Sequence, residues 1–371
     1  VISFLLFSCN SQNESSSSGL SEEYYSAGDG TVFITGSQAY STPIPTLPHE
    51  NLLRHLRGDI AFETVFVTAG EDSPGVGPLF NNNSCDACHP SDGRGRSPNG
   101  NIQGGKFVSM FLRVSVGNDP ITGNIPVPGM GNQLQDKAIY GETPEVIPKV
   151  NYAEQTGTYG DGTVYSLRVP TYSIESIRPD ILYLMKQAGY DAVDIEISPR
   201  VAPAVFGRGF LEAIPEETIL SFVDVDDRNG DGVSGRPNRV CDIETKKCGA
   251  LGRFGIKAGT PTVLHQSAGA YNGDMGVTSE NIFPDESEQP GLYTIDKVIA
   301  YNDLDTWYQE ISGHTITTDF PDLTSSKYPL ADPVSDAELS EEVTRDADFY
   351  VRTLGVPARR NVENSEVVIG K

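Results

Sequence analysis

Cys85-Asp86-Ala87-Cys88-His89 decides how this chain is read. Two thiols separated by two residues, with a histidine directly after, form the attachment signature for haem c. Each thiol closes a thioether on one haem vinyl group, and the adjacent imidazole reaches the iron as an axial ligand. Cys85 and Cys88 are the expected covalent anchors, and His89 is the expected iron ligand. Two other chemistries use paired cysteines. A zinc site needs a second ligand pair nearby, and none follows. A thioredoxin-like dithiol opens a helix within a βαβ unit, whereas the flanks here are loop-like. The haem reading is the one these residues favour.

Around the motif lie 371 residues, enough for one large domain or two ordinary ones. With 15 Phe and 16 Tyr the chain can fill a core, while 38 Gly and 25 Pro argue for short elements joined by loops. The net charge of -24 argues against nucleic acid as a partner and suits a basic redox partner protein.

Val1 to Phe7 is almost wholly apolar, and Leu6-Phe7-Ser8-Cys9 resembles the lipobox of bacterial lipoproteins, in which the cysteine is lipidated. Residues 1–18 are read as lipoprotein signal and tether, with the Ser/Asn-rich run from Asn10 to Ser18 as the flexible part. A buried strand with an unrelated free cysteine is the alternative. A signal should begin with Met and a basic region, so the sequence is expected to be incomplete at its start. Acyl chains on Cys9 would give a membrane association by lipid anchor only, because no other stretch is long and apolar enough to span a bilayer. The expected location is the periplasm or cell envelope, on the outer membrane. Cys241 and Cys248 enclose six polar-to-mixed residues and are expected to form a local disulfide in an oxidising compartment, a free pair being the alternative.

Residues 19–50 alternate turn formers with short β-prone runs and read as an irregular N-terminal extension. Leu52, Leu53, Leu56, Ile60, Phe62 and Phe66 predict a helix followed by an extended segment. Alternation predicts a strand over Phe107 to Val116, with further β-like runs over Val146 to Tyr152 and Val164 to Ile174. Asp180 to Gln187 reads as a short helix. Ser335 and Glu338 form a capping box ahead of a helical face of Leu339, Val343, Ala347, Tyr350 and Leu354, which Gly355 and Pro357 end.

Gly77-Pro78-Leu79-Phe80-Asn81, running into the cysteine motif and then Asp92-Gly93-Arg94-Gly95, resembles the bacterial di-haem oxidoreductase family. That family is also labelled as thiol oxidoreductases and is related to di-haem cytochrome c peroxidases. Gln133-Leu134-Gln135-Asp136, Asp161-Gly162 with Ser166-Leu167-Arg168, and Pro199-Arg200-Val201-Ala202-Pro203 look like its blocks. So do Leu211-Glu212-Ala213-Ile214-Pro215, Gly235-Arg236-Pro237-Asn238, Gly252-Arg253-Phe254-Gly255 and Gly273-Asp274-Met275-Gly276. The resemblance covers about residues 50 to 360 and implies a loop-rich α+β fold, a cytochrome c-like haem domain with short helices and β insertions. The haem c-binding domain is placed at residues 51–360. The family carries a second haem motif in a C-terminal cytochrome domain, and these residues contain none. Residues 361–371 are read as the start of that domain; a one-haem remnant is the alternative.

Asp227-Arg228-Asn229-Gly230-Asp231-Gly232 matches the first half of an EF-hand loop. Asn238 stands where a bidentate glutamate belongs, so Asp224 and Asp226 are the expected substitutes, and calcium is assigned to residues 224–238. An Asx-rich turn without an ion is the alternative.

The axial position opposite His89 decides what the haem would do. Met275 and Met130, each beside glycines, are the first candidates, with Met110, Met185, His265 and the tyrosines behind them. Arg94, Arg96 and Arg113 are candidates for haem propionates, and Trp307 for an electron relay. A methionine ligand would make an electron carrier, whereas an open position would admit peroxide. The leading expectation is an exported c-type cytochrome oxidoreductase, the N-terminal part of a di-haem enzyme with peroxidase-like chemistry on a small oxidant or another substrate. A pure electron carrier and a calcium-braced surface lipoprotein are the alternatives.

Overall fold

The computed structural model describes residues 22–67, 75–103, 107–119, 123–282, 301–325 and 337–370. Cys9, the rest of residues 1–18, Ser335 and Lys371 lie outside them. The fold is α+β and rich in loops. Its principal helices and strands, in chain order, begin with α1 (Leu52–Glu63) and the single turn α2 (Cys85–Cys88). Then come β1 (Met110–Ser115), β2 (Gln133–Leu134), β3 (Val146–Thr158), β4 (Val164–Ile177), α3 (Pro179–Gln187) and β5 (Glu196–Val201). After α4 (Arg208–Ala213) follow β6 (Arg239–Cys241) and β7 (Cys248–Leu251). Helices α5 (Val263–Met275), α6 (Tyr301–Ser312) and α7 (Glu341–Thr353) close the order.

Alternation along β1 buries Met110, Leu112 and Val114 and leaves Arg113 on the other face, as a pleated strand requires. β1 lies between β5 and β2 in an antiparallel sheet, and β3 and β4 form a long hairpin paired from Val146↔Ile177 to Thr158↔Val164. One core joins these sheets to α3: Phe107, Met110, Leu112, Met130, Leu134, Val150, Ile181 and Met185 are all buried in it. Pro179 at its first turn pre-sets the α3 backbone.

A second body pairs α1 with α7. Gly58 permits this contact, since a Cβ there would lie 2.0 Å from the Asp346 carbonyl oxygen. Arg54 and Arg57 then both reach the Asp346 carboxylate, at 2.9 and 2.7 Å. The α1 helix forms as its sequence predicts, but it buries His55, Gly58, Ala61 and Phe62 and leaves Leu53, Leu56 and Ile60 in solvent. Close approach at Gly58 outweighs the larger apolar side chains in choosing the buried face.

The start of α7 corrects the predicted capping box. Ser340 caps the helix by accepting from the Val343 amide, while the Glu338 carboxylate turns away to the Thr278 amide and hydroxyl. Glu341 and Glu342 at the first turn and Arg352 at the last complement the helix dipole. Thr31–Val32 pairs in parallel with Val356–Pro357, which ties the N-terminal extension to the segment after α7. A disulfide joins Cys241 and Cys248 across β6 and β7. Among the described residues, no helix is long and apolar enough to cross a membrane.

Candidate haem site

Ser84 sets the turn that carries the two thiols. Its buried hydroxyl accepts from the Ala87 amide at 3.0 Å, and the His89 amide closes the turn on the Cys85 carbonyl at 2.9 Å. The chain then reverses through Ser91 and Asp92, both in the left-handed region at φ 51° and 59°, a conformation that costs energy without glycine. Asp86 holds the reversal by accepting from the Ser91 amide at 2.9 Å. Gly95 fits where a Cβ would meet Ser109 and the Cys88 carbonyl, so the loop folds tightly back on the motif.

His89 is oriented from a distant segment. Its Nδ1–H donates to the Pro203 carbonyl at 2.6 Å, which fixes the tautomer and leaves Nε2 with its lone pair. Burial lowers its pKa, and the nearby Arg208 guanidinium lowers it further, against the opposing pull of the Pro203 carbonyl and Asp86. A neutral imidazole with a carbonyl behind it is the arrangement metal-binding histidines use.

Burial pushes the Cys85 thiol up to about 12 and the Cys88 thiol up to about 11, with the Asp274 carboxylate adding to both. Cys88 donates to the Val108 carbonyl at 3.1 Å and accepts from the Asn82 amide at 3.3 Å. A redox dithiol works through a lowered thiol pKa, the opposite of the direction found at Cys85 and Cys88. They fit a group that bonds to sulfur covalently. Apolar side chains enclose the turn: Cys85 packs against a cluster containing Phe66, Phe80, Tyr271 and Met275 and against another containing Phe62, Phe254, Tyr350 and Leu354. The Phe62 ring stands 6.3 Å from the His89 ring.

The two methionines first considered for the iron fall in different places. Met275, last residue of α5, shares the cluster that holds Cys85. Met130 is fully buried in the sheet core with Met110 and Met185. His265 is placed near Asp242 and Lys246 of the disulfide hairpin, and Trp307 stands edge-on to Tyr183. Arg94, Arg96 and Arg113 are all exposed, and partial desolvation lowers the Arg113 pKa while nearby Asp274 raises it.

Several sequence blocks converge here. Gly77 and Gly276 touch, because a Cβ on Gly77 would lie 2.4 Å from the Gly276 carbonyl oxygen. Gln133 donates through Nε2 to Asp274 at 2.6 Å, to Asn81 at 2.9 Å and to the Gly273 carbonyl at 3.0 Å. Asn81 in turn donates to the Leu134 carbonyl at 2.7 Å and to Asp136 at 3.1 Å. Burial lifts the Asp274 carboxyl above its usual range, and Gln133 and Arg113 hold it down in part. Asp274, Asn82, Arg208 and the Pro203 carbonyl had no role assigned from sequence. Three of the four lie in or beside quoted blocks, but nothing in a sequence says which carbonyl a histidine will meet.

The acidic loop closes on itself. Asp224 accepts from the amides of Arg228 and Asn229, Asn229 from Asp231, Asp231 from Val233, and Asp227 from Gly232, all within 2.8 to 3.4 Å. Asp226 points outward, 3.8 Å from Arg228. Among the described residues, no group of three or more His, Cys, Asp or Glu side chains is gathered for a metal ion.

The turn thus presents two thiols and an oriented imidazole side by side within an α+β fold. Residues 21–371 match the sequence family described as "Di-haem oxidoreductase, putative peroxidase", and the chain belongs to that family. No curated protein and no solved structure matches the chain.

Proposed function

We propose that this chain is an exported c-type cytochrome oxidoreductase with peroxidase-like chemistry, holding haem c through Cys85 and Cys88 with His89 on the iron. The observation that carries the reading is the 2.6 Å bond from His89 Nδ1 to the Pro203 carbonyl, which frees Nε2 for a metal. When bound, haem supplies a centre that accepts and donates single electrons and can activate peroxide. The chain supplies the rest. Cys85 and Cys88 would tether the cofactor, the aromatic and aliphatic side chains around them limit water, and the Gln133 amide holds the Asp274 carboxyl in place beside both thiols. Electrons come from a redox partner protein. Lipidation of Cys9 and attachment to the cell envelope belong to the same proposal, as does calcium in the loop at residues 224–238. The buried Asp227 Oδ1, which has no hydrogen-bond partner, supports the ion.

The placement of Met275 beside Cys85 favours a second reading, an electron carrier with both axial positions filled. A visible spectrum separates the two. A high-spin ferric component that reacts with hydrogen peroxide supports the enzyme, and a low-spin, unreactive spectrum supports the carrier. A chain that expresses folded in a haem c-maturing host without a covalent haem mass sinks both.

A further inference from the structure

The solvent face of α1 carries a stripe of large aliphatic side chains. Leu53, Leu56 and Ile60 follow at i, i+3 and i+7, so they share one face. They are 71%, 45% and 68% exposed, and Val65 just beyond the helix is 62% exposed. A lone exposed leucine needs no explanation, but a contiguous apolar patch marks an interaction surface.

Its place in the fold limits what it could bind. The opposite face of the same helix holds Phe62, whose ring is 6.3 Å from His89. A protein seated on the stripe would therefore stand one helix diameter, about 10 Å, from the side that packs on the axial ligand. The surroundings are acidic. Glu50, Asp59 and Glu63 lie along α1 and its approach, and Asp86 follows on the haem turn. Desolvation lifts the Glu63 carboxyl above its usual range, and nearby Asp59 and Asp86 lift it further. Arg57 on this edge is already engaged by Asp346 at 2.7 Å and by Glu342 at 3.8 Å.

We propose that this stripe is the docking surface for a basic redox protein, an electron carrier whose apolar patch is ringed by lysine or arginine. The inference rests on the haem reading of Cys85 to His89. An apolar centre with an acidic rim is complementary to that partner, and opposite charges steer the encounter. A second copy of this chain fits poorly, because a two-fold contact would set acidic rim against acidic rim.

The test uses the haem-loaded full chain and a lysine-ringed mitochondrial cytochrome c as probe, with electron transfer followed by stopped flow across ionic strengths. The expected result is a second-order rate that falls as salt rises. Leu56→Ser with Ile60→Ser should lower it at least tenfold with haem band and melting temperature unchanged, and Asp59→Asn with Glu63→Gln should flatten the salt dependence. An unchanged rate in the stripe variant, with its haem band intact, overturns the docking surface alone. So does a concentration-dependent dimer that the stripe variant abolishes, since a second copy would then be the occupant. Loss of the haem band in the unmutated chain overturns the haem reading and the docking surface with it.

Discussion

The imidazole of His89 meets the carbonyl of Pro203 at 2.6 Å across 114 residues of chain. The same strand exit is tied to the motif loop elsewhere: the Gly95 amide donates to Ala202 at 2.9 Å and the Val205 amide to Asp92 at 3.1 Å. The imidazole is thus aimed by residues 202–205 rather than by its own short helix. Under the haem c reading, His89→Ala should leave the thioether mass in place while the visible spectrum loses its histidine-ligated form. Cys85→Ser with Cys88→Ser should abolish the covalent adduct. Mass spectrometry and a pyridine haemochrome measure the two separately, and a His89→Ala spectrum identical to that of the unmutated chain would refute the assignment.

Gly58 is the hinge of the α1–α7 contact. A Cβ there would lie 2.0 Å from the Asp346 oxygen and 2.6 Å from the Tyr350 Cβ, and neither can move without shifting α7. Overpacking of this kind costs about 1–3 kcal/mol. Gly58→Ala should lower the urea midpoint accordingly, although alanine is the better helix former. A midpoint at or above that of the unmutated chain would show that α1 and α7 leave room for a Cβ at residue 58.

Asp92 should make stability fall as pH rises. Burial pushes its carboxyl up to about 7, assisted by Asp59, Asp86 and Glu63 and opposed by the Tyr350 hydroxyl. One of its oxygens is buried with no hydrogen-bond partner. In the unfolded chain an aspartate titrates near about 3.9. Between those two values the folded state binds the extra proton, so this contribution is fully present below about pH 4 and lost above about pH 7. The slope approaches about 1.4 kcal/mol per pH unit at most. Denaturation at pH 5 and pH 8 measures it, and Asp92→Asn should remove this dependence.

The raised thiols predict slow thiol chemistry in the haem-free chain. With Cys85 near about 12 and Cys88 near about 11, almost no thiolate exists at pH 8. Iodoacetamide should modify the folded apo chain far more slowly than the urea-unfolded one. Fast labelling at pH 7 would mean a lowered pKa and would reopen the redox-dithiol alternative.

What could be read from the sequence was whatever depends on spacing. The alternation of Met110, Leu112 and Val114 follows from a short period and is buried in the sheet core; of the predicted face, Ala347, Tyr350 and Leu354 are buried, whereas Leu339 precedes the helix and Val343 is exposed. What could not be read depends on contacts made at long range. Gly58, not the leucines, selects the buried face of α1; Ser340, not Ser335, caps α7 once Glu338 is taken by Thr278. The Pro203 carbonyl carries no sequence signature, because every residue has one.

The acidic loop provides a sharp test because its geometry allows two outcomes. Asn229, Asp231 and Asp227 each accept a backbone amide within the loop, which is how an Asx-rich turn holds itself without an ion. Yet Asp227 Oδ1 is buried with no partner, and an uncompensated oxygen among acids is costly unless a cation or water meets it. If calcium binds, a free concentration a hundredfold above its dissociation constant should stabilise the fold by about 2.7 kcal/mol. Chelation would then lower the melting temperature, added calcium would restore it, and Asp227→Asn would remove the response while leaving the chelated protein nearly as stable. A melting temperature indifferent to chelator and calcium would leave the loop as a self-bonded turn and end the calcium proposal.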